Sequence, residues 1–471
     1  MDSENKLNKR IFIYEFVWSE DLIRHIIQLC DKKGIEICGW AIRRKDFEIL
    51  LKVWPEAPVF EAPLPKKLEV IDYNTDLTNG FSFGEEENIR FLLDREGSYQ
   101  NNMHSSQVRY QIQSWAEGLL KLTQPDWLLF PDVPHNIFTY LLHLCGERRG
   151  VNSLMVRRDL APHFFNLSKT VKREAVSIPN DLDIKNLSPQ TSEYLDSLRS
   201  DDDTSPTYMR KQKQNSKLFQ IIKRALGKGL NLFTKKSIGA VGTYRNRGKL
   251  KKTYESYSEI KVNSKHTKPY IVVFLMLQPE RSSIPEGGIF AQQWLMIQML
   301  SKFCTSLGWN LYVKEHPSTF MIGPKLYRGK WFYDGLKAMP NVSIVSVGVS
   351  SAKILKDAKA IATITGTVGI EAVAKGVPAL LFGESPYTGC AGTFKIKDES
   401  DLDAAMSSIK DGVHINFDDV KRFFGACEKD KYCLNTGLSR KEDHVAPWMK
   451  GIPQSKMFTK IVEFIEDDQL S

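Results

Sequence analysis

The sequence has no CxxC pair and no run of closely spaced cysteines. Its seven (Cys30, Cys38, Cys145, Cys304, Cys390, Cys427 and Cys433) are odd in number and dispersed. That pattern argues against a disulfide framework or a zinc site and reads most of them as small buried apolar residues. No apolar run approaches the roughly 18 residues of a spanning helix. The first run, IFIYEF at 11–16, is broken by Glu15 and is too short for a signal-peptide core. The expected location is therefore cytoplasmic. A third absence is local: 204–254 holds no Asp or Glu but fourteen Lys and Arg. Without those fourteen the net charge of +9 becomes −5, so the chain is a mildly acidic globule with one basic segment, and its overall charge is no argument for nucleic acid.

What remains is ordinary for a globular protein, with 42% hydrophobic and 26% charged residues and a mean hydropathy of −0.31. The 471 residues exceed one core, so two domains are expected. Strands and helices alternate along both halves. In the first half, 10–16 reads as a strand, and Ser19 caps a helix that Gly34 stops. IEICGWAI is a strand, LEVIDYN a short candidate strand, 85–94 and 105–122 helices, and PDWLLFPD a buried strand followed by a helix and the strand VNSLMV. In the second half PYIVVFLML is a nearly continuous apolar strand, as at the centre of a parallel sheet. A helix at 290–303 and the strands WNLYV, VSIVSV, KAIATIT and VPALLFG follow. This alternation implies doubly wound α/β domains.

The expected division is an acceptor-side Rossmann-like domain at 1–181, a polar then basic segment at 182–262, a second Rossmann-like domain at 263–450, and a final helix at 451–471 crossing back to the first. The basic core SKLFQIIKRALGKGLNLF is amphipathic, though its glycines weaken a helix. It reads as a helix on an anionic membrane surface, which adds a peripheral place on the inner face of the cytoplasmic membrane, or as a solvated interdomain linker. Aromatic interleaving is too sparse for a nucleic-acid surface.

Three polar stretches interrupt the second domain where strands meet loops, the edge at which open α/β sheets bind ligands. In TITGTVGIEAVAKG, Thr365, Gly366 and Thr367 lead a strand into a helix, a turn suited to a phosphate, with Glu371 one turn further in where it can reach ribose hydroxyls. In YVKEHPS, His316 and Pro317 follow a strand and Lys314 can neutralise charge. In LQPERSSIPEGG, Gln278 heads the loop, and Glu280 and Glu286 are candidate carboxylates. Singly, each also reads as a plain turn or surface loop. In the first domain FPDVPHN places Asp132 at a strand end and His135 at the start of a helix. The pair reads as a general base or nucleophile with a partner, or as a helix cap.

The order QPE…GG, VKEHP, TGTVGIEA…GVPALLFG, over roughly 270–387, resembles the C-terminal half of bacterial capsule and surface-polysaccharide biosynthesis proteins, a group that includes the capsular Kdo transferases and lies near the bacterial polysialyltransferases. The resemblance implies a GT-B fold, two Rossmann-like domains facing a cleft, and a glycosyltransferase that moves sugar from a nucleotide-sugar donor to a glycan or glycolipid acceptor. It implies that His316 and Pro317 contact the nucleotide, Thr365, Gly366 and Thr367 the phosphate, and Glu371 the ribose, with Gln278 and Lys314 beside them. Asp132, His135 and Glu280 are the catalytic candidates. No cofactor and no metal are expected, and Asp201, Asp202 and Asp203 fall in the polar linker, not at a strand end. The chain carries threonines where sialyltransferase-like members carry a serine pair. An epimerase or polyol-phosphate transferase of similar plan, or a non-catalytic scaffold subunit, are the alternatives.

Overall fold

The structure, a computed structural model, describes residues 8–17, 19–62, 77, 80–96, 102–158, 164–173, 176–179, 182–200, 248–261, 264–278, 280–320, 328–430, 432–435 and 454–468. The strand expected at LEVIDYN and residues 208–247 of the basic segment lie outside them. The chain forms two units, Met1–Glu174 with Cys427–Ser471, and Ala175–Ala426.

The first unit starts with β1 (Lys9–Tyr14), β2 (Ile35–Ile42) and β3 (Val59–Glu61), then β4 (Trp127–Phe130), β5 (Asn152–Arg158) and β6 (Phe164–Ser168). β2 and β3 extend the sheet on one side of β1, and β4 and β5 on the other. These five are parallel, whereas β6 turns back antiparallel to β5. The helix Glu20–Lys33 between β1 and β2 begins where the Ser19 hydroxyl accepts the Leu22 amide and ends at left-handed Gly34. It buries Leu22, Ile23, Ile26 and Cys30 against a core containing Trp40, Trp127 and Leu129.

The second unit carries β7 (Ser258–Ile260), β8 (Tyr270–Phe274), β9 (Asn310–Lys314), β10 (Val342–Val345), β11 (Ala360–Thr363), β12 (Ala379–Leu381) and β13 (Thr393–Lys395). The order is β13-β12-β11-β8-β9-β10-β7, all parallel. From β8 the chain runs out through β9 and β10, then returns to the far side for β11, β12 and β13. This is the doubly wound dinucleotide-fold order. Two Rossmann-like units in one chain are the make-up of the GT-B class. Central β8 is buried at every residue, which is why it reads as unbroken YIVVF.

The chain returns to the first unit as β14 (Leu434–Asn435), which pairs antiparallel with β6. It closes with the helix Gln454–Asp467, whose Met457, Phe458, Ile461, Val462 and Ile465 enter the first unit's core.

Local features depart from the sequence reading. The stretch from 182, read as linker, contains the helix Pro189–Arg199, which belongs to the second unit and buries Tyr194, Leu195 and Leu198. Beyond it, the Lys375 ammonium donates to the Ser200 carbonyl at 3.0 Å. The helix expected at 290–303 is Trp294–Leu307. Gln293 sits before it in the left-handed region (φ 67°), fully buried, with its side-chain amide bonded to the Met276 main chain at 2.7 and 3.2 Å. That side chain takes the place of a strand partner and delays the helix. Among the described residues no helix is long and apolar enough to cross a membrane.

Candidate functional site

In the second unit the chain reverses direction across the sheet between β8 and β11, and the carboxyl ends at such a switch point are where open α/β sheets form their ligand crevice. The three polar stretches leave the sheet there: 275–293 after β8, 315–320 after β9 and 364–367 after β11. The Thr365 hydroxyl donates to the Ser282 carbonyl at 2.7 Å, and the Glu384 amide to the Glu286 carbonyl at 2.8 Å. The loops after β8, β11 and β12 are thereby tied together. Glu280 organises its own turn, its carbonyl accepting from the Ser283 and Ile284 amides at 2.9 and 2.8 Å. Its carboxylate accepts from the Ser282 hydroxyl at 3.4 Å.

Beneath the loop after β9 lies a buried ion pair that the sequence reading missed. The Glu315 and Arg328 side chains are 0% and 3% exposed. Arg328 grips the carboxylate through Nε at 2.8 Å and a terminal nitrogen at 2.6 Å, and donates to the Gln278 side-chain oxygen at 2.9 Å and the Met276 carbonyl at 2.8 Å. The Tyr333 hydroxyl (2.8 Å), the Thr319 hydroxyl (3.1 Å) and the His316 amide (2.8 Å) complete the shell of Glu315. Gln278 is therefore held from two sides, donating to the Ala291 carbonyl as well. The available signal was the charged residue of KEHP directly after an apolar strand; Arg328 belongs to no motif.

On this base sits His316. Its Nδ1 accepts the Ser318 amide at 3.2 Å, so the ring proton resides on Nε2. Burial, aided by Arg328 and Lys314 against the opposing Glu315, pushes its pKa down to about 4. At neutral pH His316 is an uncharged Nε2–H donor. Pro317 opens the short 3-10 turn Pro317–Phe320 that supplies the Ser318 amide. Lys314, last in β9, is buried.

After β11, Thr365 is buried and Thr367 is exposed, its hydroxyl making no cap bond to the helix Val368–Ala374. Glu371 lies half-buried one turn in. The glycines also have a packing task. A Cβ on Gly369 falls 2.1 Å from the Tyr387 hydroxyl, and one on Gly366 falls 2.8 Å from Thr363 Oγ1. Gly369 thereby admits the buried Tyr387, whose hydroxyl donates to the Gly366 carbonyl and pins the turn.

Gln278, Glu280, Lys314, His316, Pro317, Thr365, Gly366, Thr367 and Glu371 all stand at the carboxyl edge of the second sheet. Asp132 and His135 stand at that of the first. There the helix Ile137–Arg148 is capped by Asn136, whose side chain accepts the Thr139 amide at 2.9 Å. Asp132 is not its cap; its Oδ1 accepts the Val133 amide at 2.8 Å. His135 Nδ1 lies 2.7 Å from the Val133 carbonyl, to which it can only donate.

Residues 232–398 match the family described as capsule polysaccharide biosynthesis protein. The capsule-synthesis stretch includes β8 to β13 and all three loops of the crevice. No curated protein matches the chain. Solved structures similar to it include Thermosulfurimonas dismutans KpsC, beta Kdo 2,7 transferase, at 11% identity over 97% of this chain and 99% of that one, with a TM-score of 0.31. The beta Kdo 2,4 transferase of the same KpsC has 11% identity over 65% and 80%, with a TM-score of 0.30. The UDP-GlcNAc 2-epimerase from Methanocaldococcus jannaschii has 12% identity over 97% and 99%, with a TM-score of 0.25.

Proposed function

We propose that the chain is a glycosyltransferase of capsule or surface-polysaccharide synthesis, taking sugar from a nucleotide-sugar donor to a glycan or glycolipid acceptor. The observation that carries this reading is the crevice at the second unit's switch point, which gathers the neutral His316 donor and the Thr365–Gly366–Thr367 turn inside the capsule-synthesis stretch. In this reading His316 Nε2–H and the Thr367 hydroxyl bond the donor phosphate, and Glu371 the ribose. Fixed donors offset the charge that grows on the departing phosphate without a bound metal. The first unit supplies the acceptor-side chemistry.

The test is calorimetry with CMP, UDP, GDP and ADP. His316→Ala and Thr367→Ala are each expected to weaken the bound nucleotide by about 1.5–3 kcal/mol, roughly ten- to 150-fold. Unchanged affinity in both sinks the assignment. Product analysis without acceptor separates transfer from epimerisation, since only an epimerase alters the donor sugar alone.

The basic residues of 208–252 are proposed to hold the protein on an anionic membrane. The expected result is co-sedimentation with phosphatidylserine vesicles that fades with salt. Equal sedimentation by a chain lacking 208–252 refutes it.

A further inference from the structure

We infer that Glu15 is the acid–base residue of the first unit, taking the proton-accepting role expected of Asp132; the inference rests on the transferase reading above. The first sheet has its own switch point between β1 and β4. Ile13 lies opposite Leu129 in that parallel pair. Two residues on, the chain leaves β1 at Glu15, as it leaves β4 at Pro131 and Asp132, so these residues follow the carboxyl ends of neighbouring strands, where such sheets hold ligands.

The backbone there is unusual. Glu15 and Phe16 are both left-handed, with φ of 61° and 59°, a conformation that residues with a Cβ avoid. It is over-determined by its surroundings. The Glu15 amide donates to the Ala41 carbonyl at 2.7 Å, and Trp40 Nε1 donates to the Glu15 carbonyl at 2.6 Å. The Phe16 ring is fully buried and meets Phe458 edge-on, with centroids 6.1 Å apart. Such turns persist where the neighbours fix them, and they concentrate at working sites.

The side chain is placed to move a proton. It is 30% exposed, 3.6 Å from Arg43 Nε. Lys45 and Asp46 face it from the turn after β2, and His135 from the loop after β4. Burial raises its proton affinity, and the attraction of Arg43 does not cancel this. With Nδ1 donating to the Val133 carbonyl, the neutral form of the His135 ring carries its lone pair on Nε2. Asp132, by contrast, spends one carboxylate oxygen on the next residue's amide.

The step balances as follows. The acceptor hydroxyl's O–H bond breaks and its proton passes to a Glu15 carboxylate oxygen. The freed oxygen pair forms the bond to the donor's anomeric carbon, and the C–O bond to the phosphate breaks with its pair leaving on the nucleotide. The proton then passes through His135 Nε2 to solvent.

The test compares full-length wild type and Glu15→Gln for nucleotide release from a panel of CMP-, UDP- and GDP-linked sugars, for nucleotide binding and for melting temperature. Expected are at least a hundredfold loss of turnover, unchanged nucleotide affinity, and a melting temperature at pH 8 equal to or above wild type. The last follows from sign: a raised carboxyl affinity contributes stability at low pH that is lost as pH rises through the folded value, and glutamine lacks that loss. Turnover within threefold of wild type, or a lower melting temperature with unchanged turnover, overturns the Glu15 assignment alone. Absence of nucleotide binding by wild type overturns the transferase reading and this one with it. Where wild type binds nucleotide but turns over no sugar of the panel, the 13C-carboxyl signal that Glu15→Gln removes decides. A midpoint at or below the ordinary glutamate value overturns the assignment, and one above it supports it.

Discussion

Arg328→Met is expected to cost the second unit about 3–5 kcal/mol, the range for removing one partner of a buried ion pair. The loss comes less from the missing bonds than from the charge left behind. Glu315 is fully buried, and without Arg328 it keeps only the Tyr333 and Thr319 hydroxyls and the His316 amide. Burial alone pushes this carboxyl up, yet Arg328, Tyr333 and that amide outweigh it and hold it below the ordinary value. In wild type the stability it contributes is therefore present above the ordinary carboxylate range and is lost as pH falls through the folded value. In Arg328→Met the sign reverses: burial dominates, and stability rises as pH falls towards 5. Urea unfolding at pH 7.5 and 5 reads both effects. Glu315→Met combined with Arg328→Met is expected to regain most of the loss, because no buried charge remains. A single-variant loss below about 1 kcal/mol contradicts this account. On the proposed transferase reading the functional readout follows the His316 amide: His316 stands on Glu315, so nucleotide affinity is expected to fall with the single variant.

Phe458→Ala is expected to cost the first unit about 3–5 kcal/mol, as for other fully buried phenylalanines. The ring is 0% exposed and meets Phe16 at an interplanar angle of 84°. Around it Met457, Ile461, Val462 and Ile465 belong to the same core as Trp40 and Trp127. Ion pairs at the helix end, Lys33–Glu466 at 2.7 Å and Lys169–Asp468, are partly exposed and contribute little. Amide exchange in Glu20–Lys33 and Gln454–Asp467 is the measurement. Both helices are expected to lose protection together, because they pack on each other. Protection unchanged in Glu20–Lys33 would reduce the final helix to an attachment. On the proposed Glu15 assignment turnover is expected to fall as well, since Phe458 packs against the Phe16 ring next to Glu15.

Several parts of this molecule were legible because one physical signal dominated. β8 reads as a central parallel strand because both its faces are buried. The final helix reads from Met457, Ile461, Phe464 and Ile465 on one face. The crevice loops read because polar residues interrupt apolar strands at their carboxyl ends. Other parts depend on partners far away in sequence. The two-residue β14 exists only because β6 offers an edge. Gln293 delays a helix by bonding a main chain 17 residues earlier. Gly369 looks like room for a phosphate, but the space is filled by Tyr387, 18 residues on. Glu315 was passed over beside His316 because nothing in KEHP shows that Arg328 will meet it. Glu15 was seen only as a break in an apolar run, since a left-handed turn at non-glycine residues leaves no compositional mark.

The return of the chain through β14 and the final helix also sets a schedule for synthesis. The second unit is one continuous stretch, while the first is assembled from both ends of the chain. A ribosome adding about 5–20 residues per second releases residues 427–471 on the order of 10–60 s after residue 174. Through that interval the emerging sheet of the first unit has the floor of its core and the outer edge of β6 uncovered, and the second unit gains its last residue before the first unit does. The nascent chain is therefore expected to finish its middle before its beginning, and to offer chaperones an apolar face lined by Ile23, Ile26 and Phe16 until Phe458 arrives.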